Sequence, residues 1–462
     1  MMAKNSDFIL KKCRFPQIYF HGTLFRSVFC YKLKPILTDI MNRLPAILIT
    51  IGIFFLLDYY VFQAVRTLTR DSSADTRRLI HGIYWAIPAV SLVVWVVTQF
   101  LVPPDSLSRM TRQFIWTALL IPYFAKFFAL FILLIDDVIR FGKWVTSFFT
   151  NGSPNVQSPT SAPQADAIPR SEFLMKTALA VAGTTMAGFT YGIISGAHDY
   201  RIRRVRIPVK NLPKAFEGIK IGQLSDIHSG SFFNKTAVKG GVEMLMAEKP
   251  DLFFFTGDLV NNTADEVKDY IDIFKKIKAP LGTFSVLGNH DYGDYYQWTS
   301  AEAKHRNLQD LKEAHRLMGW DLLLDEHRAI KVGNEQIGLL GIQNWGMGGF
   351  AKYGNLKNAY ENTEDFPVKL LLSHDPSHWN GQVTPTYKDI DVAFAGHTHG
   401  MQFGVEIGGF QWSPVQYRYK QWGGLYTEGD QHLYVNRGFG YIGYPGRVGI
   451  LPEITVVELV KA

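Results

Sequence analysis

Three long apolar runs near the N-terminus restrict this chain more than any other feature. Leu44 to Val65 is almost wholly apolar, broken only by Asp58, and Ile80 to Val102 and Phe114 to Ile135 repeat the pattern. About 20 such residues cross a hydrocarbon core as a helix, where intrahelical bonds alone satisfy the backbone. Charge bounds each run: Arg66, Arg70, Arg77 and Arg78 follow the first, and Arg109 and Arg112 precede the third. Three spans in close succession argue for a membrane anchor rather than a cleaved signal peptide, whose apolar region is shorter. A fourth run, Lys176 to Gly196, is less hydrophobic and richer in Ala, Gly and Thr, and is expected to be a fourth span. The Asn-, Ser-, Pro- and Gln-rich stretch 151–169 ahead of it reads as a polar linker.

The net charge of +7 suggests a polyanion partner until it is located along the chain. Residues 1–40 hold seven basic residues against Asp7 and Asp39, so they carry +5 of it, and the rest is nearly neutral. Nucleic-acid binding needs a dense basic face, and none is expected. The two cysteines, Cys13 and Cys30, also lie in this stretch, which excludes a disulfide framework or a thiolate metal site for the body of the protein. The segment reads as an untranslated leader ahead of Met41, a basic membrane-proximal tail or a targeting element. The basic residues beside the spans leave orientation open. Arg201, Arg203, Arg204, Arg206 and Lys210 favour a cytosolic catalytic half, the arginines of the first loop favour the opposite, and residues 1–40 tip the count toward the cytosol if translated. Asp58 and Lys126 fall at similar depth in the first and third spans, a spacing that predicts either an intramembrane ion pair or two side chains snorkelling to the boundary.

From about residue 201 the composition becomes that of a soluble α/β domain. Five times a short apolar run ends in a cluster of Asp, His, Asn and Gly. The run 219–224 leads into Asp226-Ile227-His228, and 252–255 into Gly257-Asp258. The run 283–287 leads into Gly288-Asn289-His290-Asp291, 370–372 into Ser373-His374, and 392–395 into Gly396-His397-Thr398-His399. Such runs read as buried strands, and polar groups just past their carboxyl ends form the usual ligand site of an α/β sheet. Lys235 to Lys249 has a helical pattern that completes a β-α-β unit. Asp226 and His228, like His397 and His399, stand two apart, so in extended chain each pair points to one side. One such cluster is most often only a turn; five in this order predict a metal site. Hard carboxylate and amide oxygens with imidazole nitrogens, and no thiolate, select Mn, Fe, Zn or a similar divalent ion.

The ordered set of D-x-H, G-D, G-N-H-D, H and G-H-x-H over about residues 216–460 resembles the calcineurin-like metallophosphoesterase superfamily, in its membrane-linked branch of the YkuE and YaeI type. The resemblance implies an α/β fold, a metallophosphoesterase β-sandwich flanked by helices, preceded here by an all-α transmembrane region. It also implies two divalent metal ions, one held by Asp226, His228 and His399, the other by Asn289, His374 and His397, with Asp258 bridging. His290 is then the expected general acid, or a donor to charge developing on phosphorus, and Asp291 its orienting partner. In the protein phosphatase branch that orienting residue sits where this chain has Asn261, followed by Asn262 in place of Arg, which argues against a phosphoprotein phosphatase. His305, His315, His327, His378 and His432 lie outside the pattern and are expected to be surface or core histidines. Arg437 is a candidate phosphate contact.

The expected organisation is a basic segment at 1–43, a membrane domain of three helices at 44–150, linker and fourth helix at 151–200, and a catalytic domain at 201–462. The function this implies is a multi-pass cell-membrane phosphoesterase that hydrolyses a phosphodiester, phosphomonoester or pyrophosphate. The segments Gln343 to Asp365 and Gly408 to Gln431 lack strand pattern and mix aromatic with basic residues. In the second, this mixture predicts either a bilayer-facing surface that selects a lipid-linked substrate or a loop that packs its aromatics on the domain. The rival outside enzymes is a catalytically silent membrane receptor or scaffold that kept the fold, which the complete ligand set disfavours.

Overall fold

The structure, a computed structural model, describes residues 23–103, 106–149 and 170–462. The first part of the basic segment, with Cys13, and the linker at 151–169 lie outside the described residues. Among the described residues, four helices are long and apolar enough to cross a membrane: α1 (Thr23–Leu68), α2 (Ala74–Val96), α3 (Arg109–Phe149) and α4 (Arg170–Ile194). The candidate spans within and beyond them are Leu44–Leu68, Ala74–Leu101, Arg109–Thr146 and Glu172–His198. Leu48, Ile53, Leu56, Ile83, Phe131 and Val138 are among the large apolar side chains they leave exposed, the reverse of a water-soluble bundle. Asp58 and Lys126 are both buried. Tyr84 Oη donates to the backbone carbonyl of Asp58 at 2.7 Å, which fastens α2 to α1.

The chain divides into two compact units. One comprises residues 1–106 and 129–176; the other comprises 107–128 and 177–462, so the sheets of the C-terminal half share their unit with the start of α3 and most of α4. In this second unit two six-stranded sheets face one another. The first contains β1 (Arg201–Val209), β2 (Lys220–Leu224), β3 (Leu252–Phe255), β4 (Thr283–Ser285) and β5 (Asp321–Leu322). The second contains β6 (Glu326–Val332), β7 (Glu335–Gly341), β8 (Lys369–Leu372) and β9 (Val392–Ala395). A separate hairpin, β10 (Val405–Ile407) with β11 (Phe410–Trp412), precedes β12 (Gly424–Glu428) and β13 (Gln431–Val435) of the second sheet and β14 (Glu453–Lys461) of the first. The strand orders are β1-β14-β2-β3-β4-β5 and β12-β13-β9-β8-β7-β6.

Every residue of β3, β8 and β9 is buried, because each strand is covered on both faces. Ile221, Phe254 and Val457 of the first sheet meet Leu339, Leu370, Leu372 and Phe394 of the second in the central core. On the outer face of the first sheet, Phe253 and Phe255 pack on Val238, Val242 and Leu245 of α5 (Lys235–Ala247) and on Leu311 and Met318 of α6 (Ala301–Met318). Trp379, Val383 and Leu356 cover the second sheet in the same way. The segment read as patternless between Gly408 and Gln431 contains β11 and β12. Its alternation is hidden by Gly423-Gly424 and by polar residues on both faces of an edge strand, Gly424–Glu428, which pairs with β13 alone.

Candidate metal centre

All five strand-end clusters meet at one end of the two sheets. Two groups of ligand atoms form there: Asp226, His228 and His399, within 4.8 Å of one another, and Asp258, His374 and His397, equally close. Asp258 Oδ2 stands between them, 3.6 Å from His228 Nε2 and 3.2 Å from His374 Nε2. His228 Nε2 faces His399 Nε2 at 3.0 Å, and His397 Nδ1 faces His374 Nε2 at 3.2 Å. Asn289 Nδ2 donates to Tyr295 Oη at 3.0 Å, which fixes the amide and leaves its buried Oδ1 with no hydrogen-bond partner.

The local backbone differs from the extended chain expected. Asp226, His228, His397 and His399 have φ of 52°, 47°, 71° and 51°, and Asp258 has 62°. Non-glycine residues held there cost about 1–3 kcal/mol each and persist only where their surroundings over-determine them. Here they are over-determined. The Asp226 carboxylate accepts from His397 N at 3.0 and 2.9 Å, Asp226 N donates to Gly257 O at 2.9 Å, and His228 N donates to Asp258 O at 3.1 Å. The side chains that follow β2, β3 and β9 converge because each of these three strands runs directly into left-handed residues. Gly257, at φ 96°, has no room for more: a Cβ there would lie 2.5 Å from Gly288 N.

Nearly all these groups are excluded from water, and their protonation preferences conflict. Burial lifts Asp226 to about 6 and pushes His228 down to about 3 and His397 to about 4. Burial also opposes a charge on His374, but the Asp258 carboxylate outweighs it and holds that imidazole up at about 10. Buried carboxylates and imidazoles whose charge preferences conflict in the absence of another cation are a donor set suited to divalent ions. The unpartnered Asn289 Oδ1 and the nitrogen-to-nitrogen histidine pairs fit the same reading.

Asp291 does not orient the ring of His290. Its buried carboxylate is used by backbone instead: Oδ2 accepts from Asp258 N and Gly288 N at 2.8 and 2.9 Å, and Oδ1 from Leu259 N and Val260 N at 2.8 and 3.2 Å. Burial first, then the neighbouring Asp258 carboxylate, push Asp291 up to about 7 against the pull of these amides. The partner of His290 is the Asn261 carbonyl, which accepts from Nδ1 at 2.8 Å. A backbone carbonyl does this whatever side chain follows, so replacing Asp by Asn at 261 leaves the ring held.

Arg437 is no phosphate contact either. Its buried guanidinium is bonded to Glu453 at 2.8 Å and Glu406 at 2.9 Å and lies over Trp422. His315 and His378 are core histidines, with Nδ1 on Ser285 Oγ at 2.9 Å and on Ser373 Oγ at 3.0 Å.

Three residues around the centre escaped the sequence reading. Tyr419 Oη bonds His397 Nε2 at 2.8 Å, leaving Nδ1 for the site, and Asp375 Oδ2 lies 3.8 Å from the same Nε2. Arg447 is buried with Nη2 3.2 Å from His399 Nδ1 and donates through Nε to Gly440 O at 2.9 Å. Asp375, directly after His374, carried the one available signal; Tyr419 and Arg447 lie in loops with no pattern to read. Above the ligands opens a cavity of about 910 Å3, walled by His290, Tyr295, Phe350, Tyr353, Val415, Arg418, Tyr419 and Ile442.

A two-sheet α/β sandwich whose strand ends gather Asp, His and Asn in this order defines a metallophosphoesterase, here with four apolar helices before it. Residues 219–401 match the calcineurin-like phosphoesterase family, and residues 42–197 match the probable calcineurin-like phosphoesterase transmembrane domain. It is 29% identical over 283 residues to YkuE, an uncharacterized metallophosphoesterase of Bacillus subtilis, covering 60% of this chain and 92% of that one. It is 28% identical to the transmembrane protein with metallophosphoesterase domain of Danio rerio, covering 59% of this chain and 60% of that protein. It is also 28% identical to phosphodiesterase YaeI of Escherichia coli, covering 63% of this chain and 100% of that one.

Proposed function

We propose that this protein is a cell-membrane phosphodiesterase with two divalent ions, Mn, Fe or Zn, and a substrate presented at the lipid surface. The observation that carries this reading is the pair of ligand groups joined at Asp258 on the floor of a large cavity whose wall includes Tyr295, Phe350, Tyr353 and Tyr419. Asp226, His228 and His399 would hold one ion, Asn289, His374 and His397 the other, and Asp258 both. Bound there, the ions would supply a water of lowered pKa and neutralise charge on the phosphoryl oxygens. His290, its Nδ1–H given to the Asn261 carbonyl, presents Nε2 to the cavity and delivers a proton to the leaving oxygen.

A diester is favoured over a monoester by the lining. Among the described residues, Arg418 is the one Lys or Arg on the cavity wall, which suits a singly charged phosphate better than a dianion. Phe350, Val415 and Ile442 supply apolar surface for the groups on either side of the phosphorus. The similarity to a protein named as a phosphodiesterase points the same way. The test is hydrolysis by full-length, Mn-loaded protein of bis-p-nitrophenyl phosphate, p-nitrophenyl phosphate and pyrophosphate. The diester is expected to turn over fastest; a faster monoester, or turnover unchanged by metal removal, overturns the reading.

A further inference from the structure

The hairpin of β10 and β11 is amphipathic with its apolar side outward. Val405 pairs with Trp412 and Ile407 with Phe410, so these four share one face, while Glu406 and Gln411 share the other. The polar face is the fastened one: Glu406 reaches Arg203 and Arg437. The apolar face is open, with Ile407 74% and Phe410 62% exposed at the tip, on either side of Gly408-Gly409. Two strands paired only with each other, displaying their apolar side to water, make a poor element for a soluble domain.

The same face leads back to a membrane helix. Phe403, two residues before the hairpin, stacks on Phe189 of α4 with ring centroids 5.6 Å apart and meets Trp412 at 6.4 Å. Tyr444 donates to the Phe189 carbonyl, and Arg447 N donates to Gly192 O at 3.1 Å. Phe189 lies in the last turns of α4, which ends at Ile194 within the apolar span Glu172–His198. An apolar stripe thus runs from the end of a span through Phe403 and Trp412 to the exposed tip, and its natural continuation is the layer the helix already occupies.

We infer that the hairpin Val405–Trp412 inserts its Ile407–Phe410 tip into the interfacial layer of the bilayer that holds α4. It holds the cavity rim at the lipid surface, because the chain passes from the tip to Val415, Arg418 and Tyr419 of the cavity wall within a few residues. Aromatic and aliphatic side chains at a hairpin tip are suited to that layer.

The test places a nitroxide on Phe410→Cys in full-length protein lacking Cys13 and Cys30, reconstituted into phosphatidylcholine–phosphatidylglycerol vesicles. A second label on Lys331→Cys, in the exposed part of β6, serves as reference. Collision with an aqueous nickel chelate is expected to be several-fold weaker at 410 than at 331, and collision with oxygen stronger. Equal accessibility at the two positions overturns the proposal, and so does dipolar broadening between labels of two molecules, which would make a second copy the occupant. No turnover enters this reading, so it stands or fails apart from the proposed activity. A second measurement uses Ile407→Asp with Phe410→Asp. This variant is expected to keep its rate on bis-p-nitrophenyl phosphate and to lose at least most of its rate on a lipid phosphodiester in vesicles; an equal loss on both would make the hairpin merely structural.

Discussion

Replacing Asp291 by Asn separates a backbone clamp from a catalytic group. The wild-type carboxylate accepts four amides, two on each oxygen, from Asp258, Gly288, Leu259 and Val260. An asparagine keeps one oxygen, so two of the four amides remain partnered and two face an N–H. Each buried donor left without an acceptor costs about 1–3 kcal/mol, so the pair costs about 4 kcal/mol. At ~1.4 kcal/mol per factor of ten, the loop opens about a thousand times more often. Hydrogen exchange of peptides covering 257–261 and 288, followed by mass spectrometry on metal-free and metal-loaded protein, reads that quantity directly. Protection is expected to fall by about three powers of ten in metal-free protein and by less once metal is bound. If activity is lost while protection at these amides changes by less than tenfold, the clamp is wrong and Asp291 acts on the chemistry itself.

His290→Gln is expected to lower turnover by about two orders of magnitude or more while metal content stays near two per chain, checked by kinetics beside elemental analysis; near-normal turnover removes His290 from the mechanism. Tyr419→Phe leaves His397 Nε2 without its partner and is expected to weaken one of the two ions by about 10–100-fold in a metal titration, with the other unaffected. His315 is pushed down to about 3 by burial. Its unfolded form titrates near 6.5, so the stability it confers is complete above that pH and is lost as pH falls toward 3, at about 1.4 kcal/mol per pH unit. Thermal unfolding of metal-free His315→Gln should therefore be less sensitive than wild type to acidification from about pH 7 to about pH 5; an identical slope would remove His315 as the cause.

How far the sequence could be read follows from where the information lies. Buried strands covered on both faces, such as Leu252–Phe255 and Val392–Ala395, appear as unbroken apolar runs, so the elements that carry the site were legible along with the clusters they carry. The strand inserted between β1 and β2 is Glu453–Lys461 from the far end of the chain, and nothing local to either partner announces that pairing. The same limit applies to Asp291: its motif position suggests a side-chain partner, while its four partners are backbone amides whose positions exist only once two loops have turned. Arg437 looked available because sequence shows a cation but not the Glu406 and Glu453 that neutralise it.

The contact between α4 and the loop that holds Arg447 bears on how the protein is handled. Gly192 has no space for a side chain beside Tyr444 and Arg447, and Gly196 lies closer still to the Arg447 carbonyl. The anchor is thus wedged beneath the residue that touches His399. A chain begun at residue 201 would keep all seven proposed ligands yet lose the surface against which one of them is braced. Its metal affinity would describe a loosened relative of the full chain, and the end of α4 is accordingly part of the fold of the metallophosphoesterase domain.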